Sequence, residues 1–165
     1  MEKYKYRTFW KRFAAGIIDG TIFALLYYLL SLTTDNGIVK MFLTFAVFVA
    51  EAIYSVFLHG KYGQTIGKKI LDIKVYDLDE ENLIGFKRAF YRDSIWIILE
   101  IATFIYAIIT LALDPGSSSN VQSYYEDVVS SISLLWFIAE FITMLFNYKG
   151  RAVHDYLAKS VVIAH

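Results

Sequence analysis

Four apolar stretches constrain this chain more than any other feature of its sequence. They cover residues 13–32, 41–58, 94–113 and 128–146, so each is 18 to 20 residues long. About 20 helical residues cross the hydrocarbon core of a bilayer, where an isolated strand would leave its backbone unsatisfied. A content of 57% hydrophobic and 19% charged residues agrees with membrane insertion. The sequence therefore predicts an all-α membrane protein, a single domain of residues 1–165 with four transmembrane helices in a bundle.

The basic residues predict the orientation of these helices. Fifteen of the sixteen Lys and Arg residues lie in the N-terminal segment, the C-terminal segment, or the connection of about residues 59–93; the exception is Lys40. Connections rich in Lys and Arg remain on the cytoplasmic side. Both termini and the 59–93 connection are therefore expected to be cytoplasmic, in a multi-pass protein of the cell membrane. Aromatic residues near the predicted interfaces are expected to anchor the helices: Trp10, Tyr124, Tyr125 and Tyr148.

The first part of the 59–93 connection predicts a short helix. Residues 65–71 form an interfacial segment that would turn Lys68 and Lys69 toward lipid headgroups. Residues 85–91, at the other end of the connection, predict an amphipathic approach to the third transmembrane helix.

The middle of this connection predicts a small cytoplasmic β-hairpin between helices 2 and 3. Residues 73–75 alternate with period two, as a strand does. The acidic run 77–82 predicts a turn, after which Leu83 and Ile84 would return as a second strand. The β-prone residues 160–163 would add a third strand. An irregular loop is the alternative to the hairpin.

Each predicted span contains one charged residue, and in every case it is an acid. An ionisable residue at the centre of a span costs roughly 2.5 to 3.5 kcal/mol, so it is expected to face the bundle. A rise of about 1.5 Å per residue places all four roughly 10 to 14 Å from the cytoplasmic edge. Carboxylates at one depth predict a shared site for protons or a monovalent cation. The alternative is that each acid only fixes helix packing. The four acids are Asp19, Glu51, Glu100 and Glu140.

Small residues beside the first of these acids predict a packing seam. Gly16 and Gly20 are four residues apart and flank Asp19. Two small residues at this spacing let another helix approach closely. We therefore expect the helix face that carries Asp19 to lie against a neighbouring helix.

A second group of charged residues lies where the spans meet the cytoplasm. Arginine favours bidentate pairing with carboxylates. A ring of such pairs predicts a structural clasp, with a gate or a substrate-binding mouth as alternatives. The group consists of Arg12, Arg92, Asp93, Arg151, His154 and Asp155.

Several kinds of chemistry have no support in the sequence. There are no cysteines, which excludes disulfides, thiolate metal sites and a cysteine nucleophile. The three histidines lie outside the predicted spans, so the Glu-x-x-His pairs of a di-iron bundle are missing. No phosphate-binding loop is recognisable. We therefore expect no metal site, no cofactor and no enzymatic activity, and the zero net charge suggests no nucleic-acid partner.

Four segments resemble motifs of the RDD family of membrane proteins. KRFAAGIID resembles the opening signature of that family, and GQTIGKKILDIKV resembles its central motif. RAFYRD and GRAVHDYLAKSVV are similar to its later motifs. The resemblance implies that Arg12 is the arginine of the family name and that Asp19 is the first aspartate. It implies Asp155 as the second aspartate, with Asp93 as the competing candidate.

The resemblance implies a bacterial-type membrane protein for which transport has been suggested. Together with the embedded acids, it predicts a small transporter or a carrier coupled to protons or a monovalent cation. Such a small chain would need to form a homo-oligomer to build a pathway. The alternative is a non-transporting adaptor or scaffold whose cytoplasmic loop binds a partner. Apart from the lipid bilayer, the expected partners are protons or a monovalent cation, without nucleic acid.

Overall fold

Six helices and two strands make up the described part of the chain. A computed structural model describes residues 5–113 and 118–165, and the side chains of all of these except 118–122. In chain order the elements are α1 (Phe9–Ser31), α2 (Gly37–Tyr62), α3 (Ile66–Ile70), β1 (Ile73–Asp77), α4 (Gly85–Leu113), α5 (Ser118–Leu145), α6 (Val153–Leu157) and β2 (Ser160–Ala164).

The four long helices α1, α2, α4 and α5 are long and apolar enough to cross a bilayer, as the sequence predicts. At most 22% of the apolar window of any of them is buried, so most apolar side chains face outward as a bilayer requires. The predicted amphipathic approach at 85–91 is the beginning of α4. The fourth spanning helix begins before the predicted residue 128, because α5 begins at Ser118. Residues 114–117 lie outside the described residues.

Both ends of α2 have recognisable caps. The side chain of Asn36 accepts hydrogen bonds from the N–H groups of Ile38 and Val39 at 2.9 and 3.1 Å. Gly63 ends the helix with a φ of +72° and donates its N–H to the His59 carbonyl. A Cβ at Gly63 would lie 2.8 Å from the carbonyl oxygen of Val75. Glycine at this position therefore lets the chain turn tightly from α2 back toward β1.

The sheet differs from the predicted hairpin in its pairing. β1 pairs with β2 in an antiparallel ladder that places Ile73 opposite Ala164. The strand predicted at 73–75 and the additional strand predicted at 160–163 are therefore present. The predicted return through Leu83 and Ile84 is a single bridge between Tyr76 and Leu83. A longer return is not formed, because α4 begins at the residue that follows Ile84.

Two apolar clusters hold the molecule together at opposite ends. At the end of the bundle that carries the sheet, which we call the sheet end, the cluster contains Ala15, Ile73, Val75, Ile84, Ala89 and Val162. Nearer the opposite end, α2, α4 and α5 pack through Met41, Phe104, Ala107 and Tyr125.

Gly16 and Gly20 do not form the close helix contact that their spacing predicts. A Cβ on either residue would meet nothing within 4 Å. The close approach occurs one residue earlier, where Gly67 of α3 lies against Ala15 and a Cβ on Gly67 would collide with the Ala15 carbonyl. The Asp19 face of α1 does lie against neighbouring helices, as expected: α3 reaches it through Gly67 and α2 through Tyr54.

Candidate functional site: a charged cavity at the sheet end

A cavity of about 650 Å³ lies among the four long helices near the sheet end. Aromatic and aliphatic side chains of α1, α4 and α5 form much of its wall, and charged side chains from six helices complete it. Three of the four predicted embedded acids line this cavity: Asp19, Glu51 and Glu140. The other charged or titratable side chains in the wall are Arg12, His59, Lys68, Arg92, Asp93 and His154.

Asp19 is an acceptor for three donors from two neighbouring elements. The hydroxyl of Tyr54 donates to it at 2.7 Å and the hydroxyl of Thr65 at 2.6 Å. The backbone N–H of Gly67 donates at 2.9 Å. These bonds satisfy the carboxylate and dock α3 onto α1. The absence of a side chain on Gly67 is what allows its N–H to come this close.

Glu51 lies in the same wall without such partners. Among the described residues, no hydrogen bond or ion pair to its carboxylate is found. The charged groups that act on it are other acids, namely Asp19, Asp93 and Glu100. A half-buried carboxylate in this situation is unfavourable when it is ionised and alone.

Glu100 does not share the cavity with the other three acids. It is buried in the bundle, where the hydroxyl of Tyr125 donates to it at 3.2 Å. The four acids do not share one depth: Glu140 contacts His154 at 2.6 Å, whereas Glu100 lies eight residues, or about 12 Å, beyond Arg92, which contacts the same histidine. Tyr125, predicted as an interface anchor, is only 1% exposed and is part of the interior.

A buried ionic clasp closes the cavity at the sheet end. Asp155 lies 2.6 Å from Nη2 of Arg12 and 3.1 Å from Nη2 of Arg92. It also accepts the backbone N–H of Ala152 at 2.9 Å. Burial alone would raise the pKa of Asp155, but Arg12, His154 and Arg92 hold this pKa well below its usual range. Asp155 is therefore ionised at neutral pH and joins α1 and α4 to α6.

His154 connects the clasp to Glu140. Its Nδ1 lies 2.6 Å from the Glu140 carboxylate, and its Nε2 lies 3.0 Å from Arg12 and 2.7 Å from Arg92. Nε2 also lies 3.3 Å from Oδ1 of Asp155, so one ring nitrogen faces the two arginines and Asp155 while the other faces Glu140. We define the clasp as Arg12, Arg92, His154 and Asp155.

The remaining two residues of the predicted rim group have other neighbours. Asp93 lines the cavity and accepts the hydroxyl of Ser55 at 2.6 Å. Arg151 donates to the carbonyls of Ser160 and Asp155 at 3.0 and 3.1 Å, and so ties α6 to β2. Asp93 thus belongs to the cavity, and Arg151 supports the backbone of the clasp from outside.

Two basic residues of the cavity were not among the candidates from the sequence. Nζ of Lys68 lies 2.5 Å from Nε2 of His59. The prediction that Lys68 faces lipid headgroups is wrong, because α3 docks on α1 and turns this side chain inward, while Lys69 is exposed. For His59 the sequence did contain a signal. Glu51, Ser55 and His59 recur at four-residue intervals, which places them on one face of α2.

Comparison with known proteins identifies a family whose model matches most of the chain. The model of the RDD family matches residues 6–159, a range that contains the whole cavity and its clasp. A search of curated proteins gave no match, and a search of solved structures gave none either.

Proposed function

The chain belongs to the RDD family of membrane proteins, and we propose that it is a small transporter coupled to protons or a monovalent cation. Glu51 is the central residue of this proposal. Its carboxylate borders the cavity, has acids as its charged neighbours, and has no partner among the described residues. A carboxylate in such a place gains most from binding a proton or a cation.

The charges around the cavity support the same proposal. The five carboxylates of the cavity and clasp are Asp19, Glu51, Asp93, Glu140 and Asp155, and they face three Lys or Arg side chains: Arg12, Lys68 and Arg92. An excess of negative charge in a low-dielectric interior favours the uptake of positive charge. Among the described residues, no group of three or more His, Asp and Glu side chains is arranged to hold a metal ion.

The proposal includes an orientation and an assembly. Because fourteen of the fifteen Lys and Arg residues in the described part of the chain lie at or near the sheet end, we place that end in the cytoplasm of a cell membrane. A bundle of four spans is small for a complete pathway, so we also propose a homo-oligomer.

Flux in proteoliposomes tests the proposal. A pH gradient is imposed across vesicles that contain the protein, and the decay of the gradient is followed with a pH-sensitive dye in Na⁺, in K⁺ or in a large impermeant cation. We expect the pH gradient to decay faster than in protein-free vesicles. If a small cation is exchanged for protons, the rate of decay should depend on whether Na⁺, K⁺ or the impermeant cation is present. Glu51→Gln should abolish this decay, because the variant keeps the shape of the side chain but has no titratable proton.

Glu100→Gln is the matched control for this experiment. It removes the same charge from a spanning helix, but outside the cavity, so we expect flux near the wild-type rate. If the wild-type protein shows no gradient-driven flux in any of the cations, the transporter proposal fails. If Glu51→Gln retains full flux, transport stands but the site is wrong.

The adaptor is the alternative function, and the acidic turn of residues 77–82 is the feature that favours it. Asp79 and Glu81 are exposed there. Glu80, between them, is instead held by Lys5, Tyr6 and Lys149. An adaptor predicts that Asp79→Asn combined with Glu81→Gln removes the capture of a soluble partner while membrane insertion is unchanged. Unchanged capture would count against this alternative.

A further inference from the structure

Arg92 has more hydrogen-bonding capacity than its surroundings use. The residue is only 3% exposed, and its Nη2 contacts Asp155 and His154. Its Nε and Nη1 are also buried, and neither has a hydrogen-bond partner in the described part of the chain. Buried charged donors are rarely left unpaired, because they lose water without gaining another acceptor. Since Arg92 is part of the cavity wall, a molecule in the cavity is a natural source of that acceptor.

Lys68 provides a second basic side chain in the same wall. Within residues 5–113 and 118–165, no carboxylate lies within ion-pairing distance of its Nζ, whose contact is with His59. Burial lowers the pKa of Lys68 well below its usual range, and the charges of Arg92 and Arg12 lower this pKa further. The charges that act most strongly on Lys68 are therefore positive. An anion placed beside it would relieve this repulsion.

The rest of the cavity is suited to an apolar group. Trp96 of α4 and Trp136 of α5 both line it. Between α1 and α5 the wall is made of ring contacts, with centroids 4.9 Å apart for Phe9 and Phe141 and 5.8 Å apart for Phe13 and Phe137. A polar ligand without an apolar part would leave these aromatic surfaces uncovered.

We propose that the cavity binds an amphipathic oxyanion, with its carboxylate or phosphate head at Arg92 and Lys68 and its apolar part against the aromatic wall. The head supplies the acceptors that Arg92 lacks and a negative charge beside Lys68. Both an anionic lipid and a free amphipathic acid have this chemistry. The head binds at Arg92 and Lys68, whereas the proposed cation or proton binds at Glu51, so the two proposals concern different groups of the wall and each stands without the other.

Tryptophan fluorescence offers a direct measurement of this binding. The chain has three tryptophans, and Trp10 is 73% exposed, so Trp10→Phe leaves only the two in the cavity wall. The protein with this substitution is placed in nanodiscs of phosphatidylcholine and titrated with decanoate, and separately with decanol. We expect a saturable change in fluorescence with decanoate that decanol does not produce, because decanol has the chain without the anionic head.

Lys68→Gln and Lys69→Gln form a matched pair of variants on adjacent residues of α3. Lys68→Gln should raise the dissociation constant for decanoate about tenfold, the effect expected for one charge-assisted contact. Lys69→Gln removes the same charge from the exposed neighbour and should leave the constant unchanged. The proposal is overturned if decanoate gives no saturable response beyond that of decanol, or if the two variants bind decanoate alike. If Lys68→Gln does not fold, the proposal is tested with Trp10→Phe as the only substitution, by asking whether decyl phosphate competes with decanoate for binding. Failure to compete overturns the proposal.

The lipid composition of the nanodisc distinguishes the two possible sources of the oxyanion, an anionic lipid and a free amphipathic acid. Phosphatidylglycerol discs are compared with phosphatidylcholine discs at a salt concentration that screens the surface potential. Loss of the decanoate response in phosphatidylglycerol supports an anionic lipid as the occupant. A response that persists supports a free amphipathic acid.

Discussion

Asp155 and Glu51 are both carboxylates beside the same cavity, but their environments are opposite. Asp155 is completely buried between two arginines and a backbone N–H. Glu51 has no hydrogen bond or ion pair to any described residue. Asp19 lies between these extremes, because three uncharged donors hold it. A carboxylate whose partners are all supplied by the protein holds helices together. One whose partners are missing is available to a proton, a cation or a ligand.

Neutralising Asp155 should have the largest effect on stability. Asp155→Asn leaves the buried guanidinium groups of Arg12 and Arg92 without their carboxylate, and breaking a buried pair from one side costs about 3 to 5 kcal/mol. Thermal unfolding in detergent micelles should show a large drop in the melting temperature. Asp79→Asn, which alters an exposed acid, is the control and should leave it unchanged. Equal melting temperatures for the two variants would contradict a structural role for the clasp.

Neutralising Asp19 should have an intermediate effect that is confined to α3. An asparagine side chain has one acceptor oxygen for the donors that now share two, so a loss of about 1 to 3 kcal/mol is expected. Hydrogen exchange at the amide of Gly67 should become faster, because that N–H donates directly to Asp19. Exchange within α5 should remain as in the wild type. If Gly67 kept its protection, α3 would be held on α1 by packing alone.

Glu51→Gln should not lower the stability of the protein, in contrast to Asp155→Asn and Asp19→Asn. The substitution removes a half-buried charge that has no partner among the described residues, so stability at neutral pH should stay the same or rise by up to about 1 kcal/mol. Thermal unfolding in parallel with Asp19→Asn gives the comparison directly. A destabilisation as large as that of Asp19→Asn would show that the Glu51 carboxylate has a structural partner.

The four acids on the spanning helices also show how far the sequence could predict the site. Apolar length predicts the spans, since crossing a bilayer depends on each segment by itself. The positions of Asp19, Glu51 and Glu140 on spanning helices follow in the same way. Which acids meet depends on how each helix is rotated and where it begins. Glu100 lies eight residues from Arg92, about as far as Asp19 lies from Arg12, but it faces Tyr125 and not the cavity.

The orientation of α3 could not be predicted for a related reason. Hydrophobic and basic residues in a short segment are typical of an interfacial helix, and on that basis Lys68 was expected to face lipid. Its actual direction is set by contacts with distant parts of the chain, namely Gly67 against Ala15 and Thr65 on Asp19. Such long-range contacts have no local periodic pattern. The pairing of β1 with β2, across most of the chain, is a second example.

The smallest expected effect on stability concerns Glu80, an acid outside the bundle. Like Asp155 it has cationic partners, but unlike Asp155 it is close to water. Burial alone would raise its pKa, but hydrogen bonds from Lys5, Tyr6 and Lys149 lower the pKa of Glu80 from 4.5 to about 2. A carboxyl whose pKa is depressed by folding stabilises the protein above its unfolded pKa. This contribution is therefore complete above about pH 4.5 and is lost as the pH falls toward 2.

Glu80→Gln should remove that part of the pH dependence. Because the group is close to solvent, its contribution at neutral pH should be below about 1 kcal/mol. Melting temperatures of Glu80→Gln and of the exposed neighbour variant Glu81→Gln are compared with the wild type from neutral pH down to acid. Only Glu80→Gln should lower the melting temperature at neutral pH, and its difference from the wild type should shrink on acidification. If the difference in melting temperature between Glu80→Gln and the wild type does not change with pH, Glu80 acts through packing. Stabilising ion pairs at the sheet end would then be confined to the buried clasp.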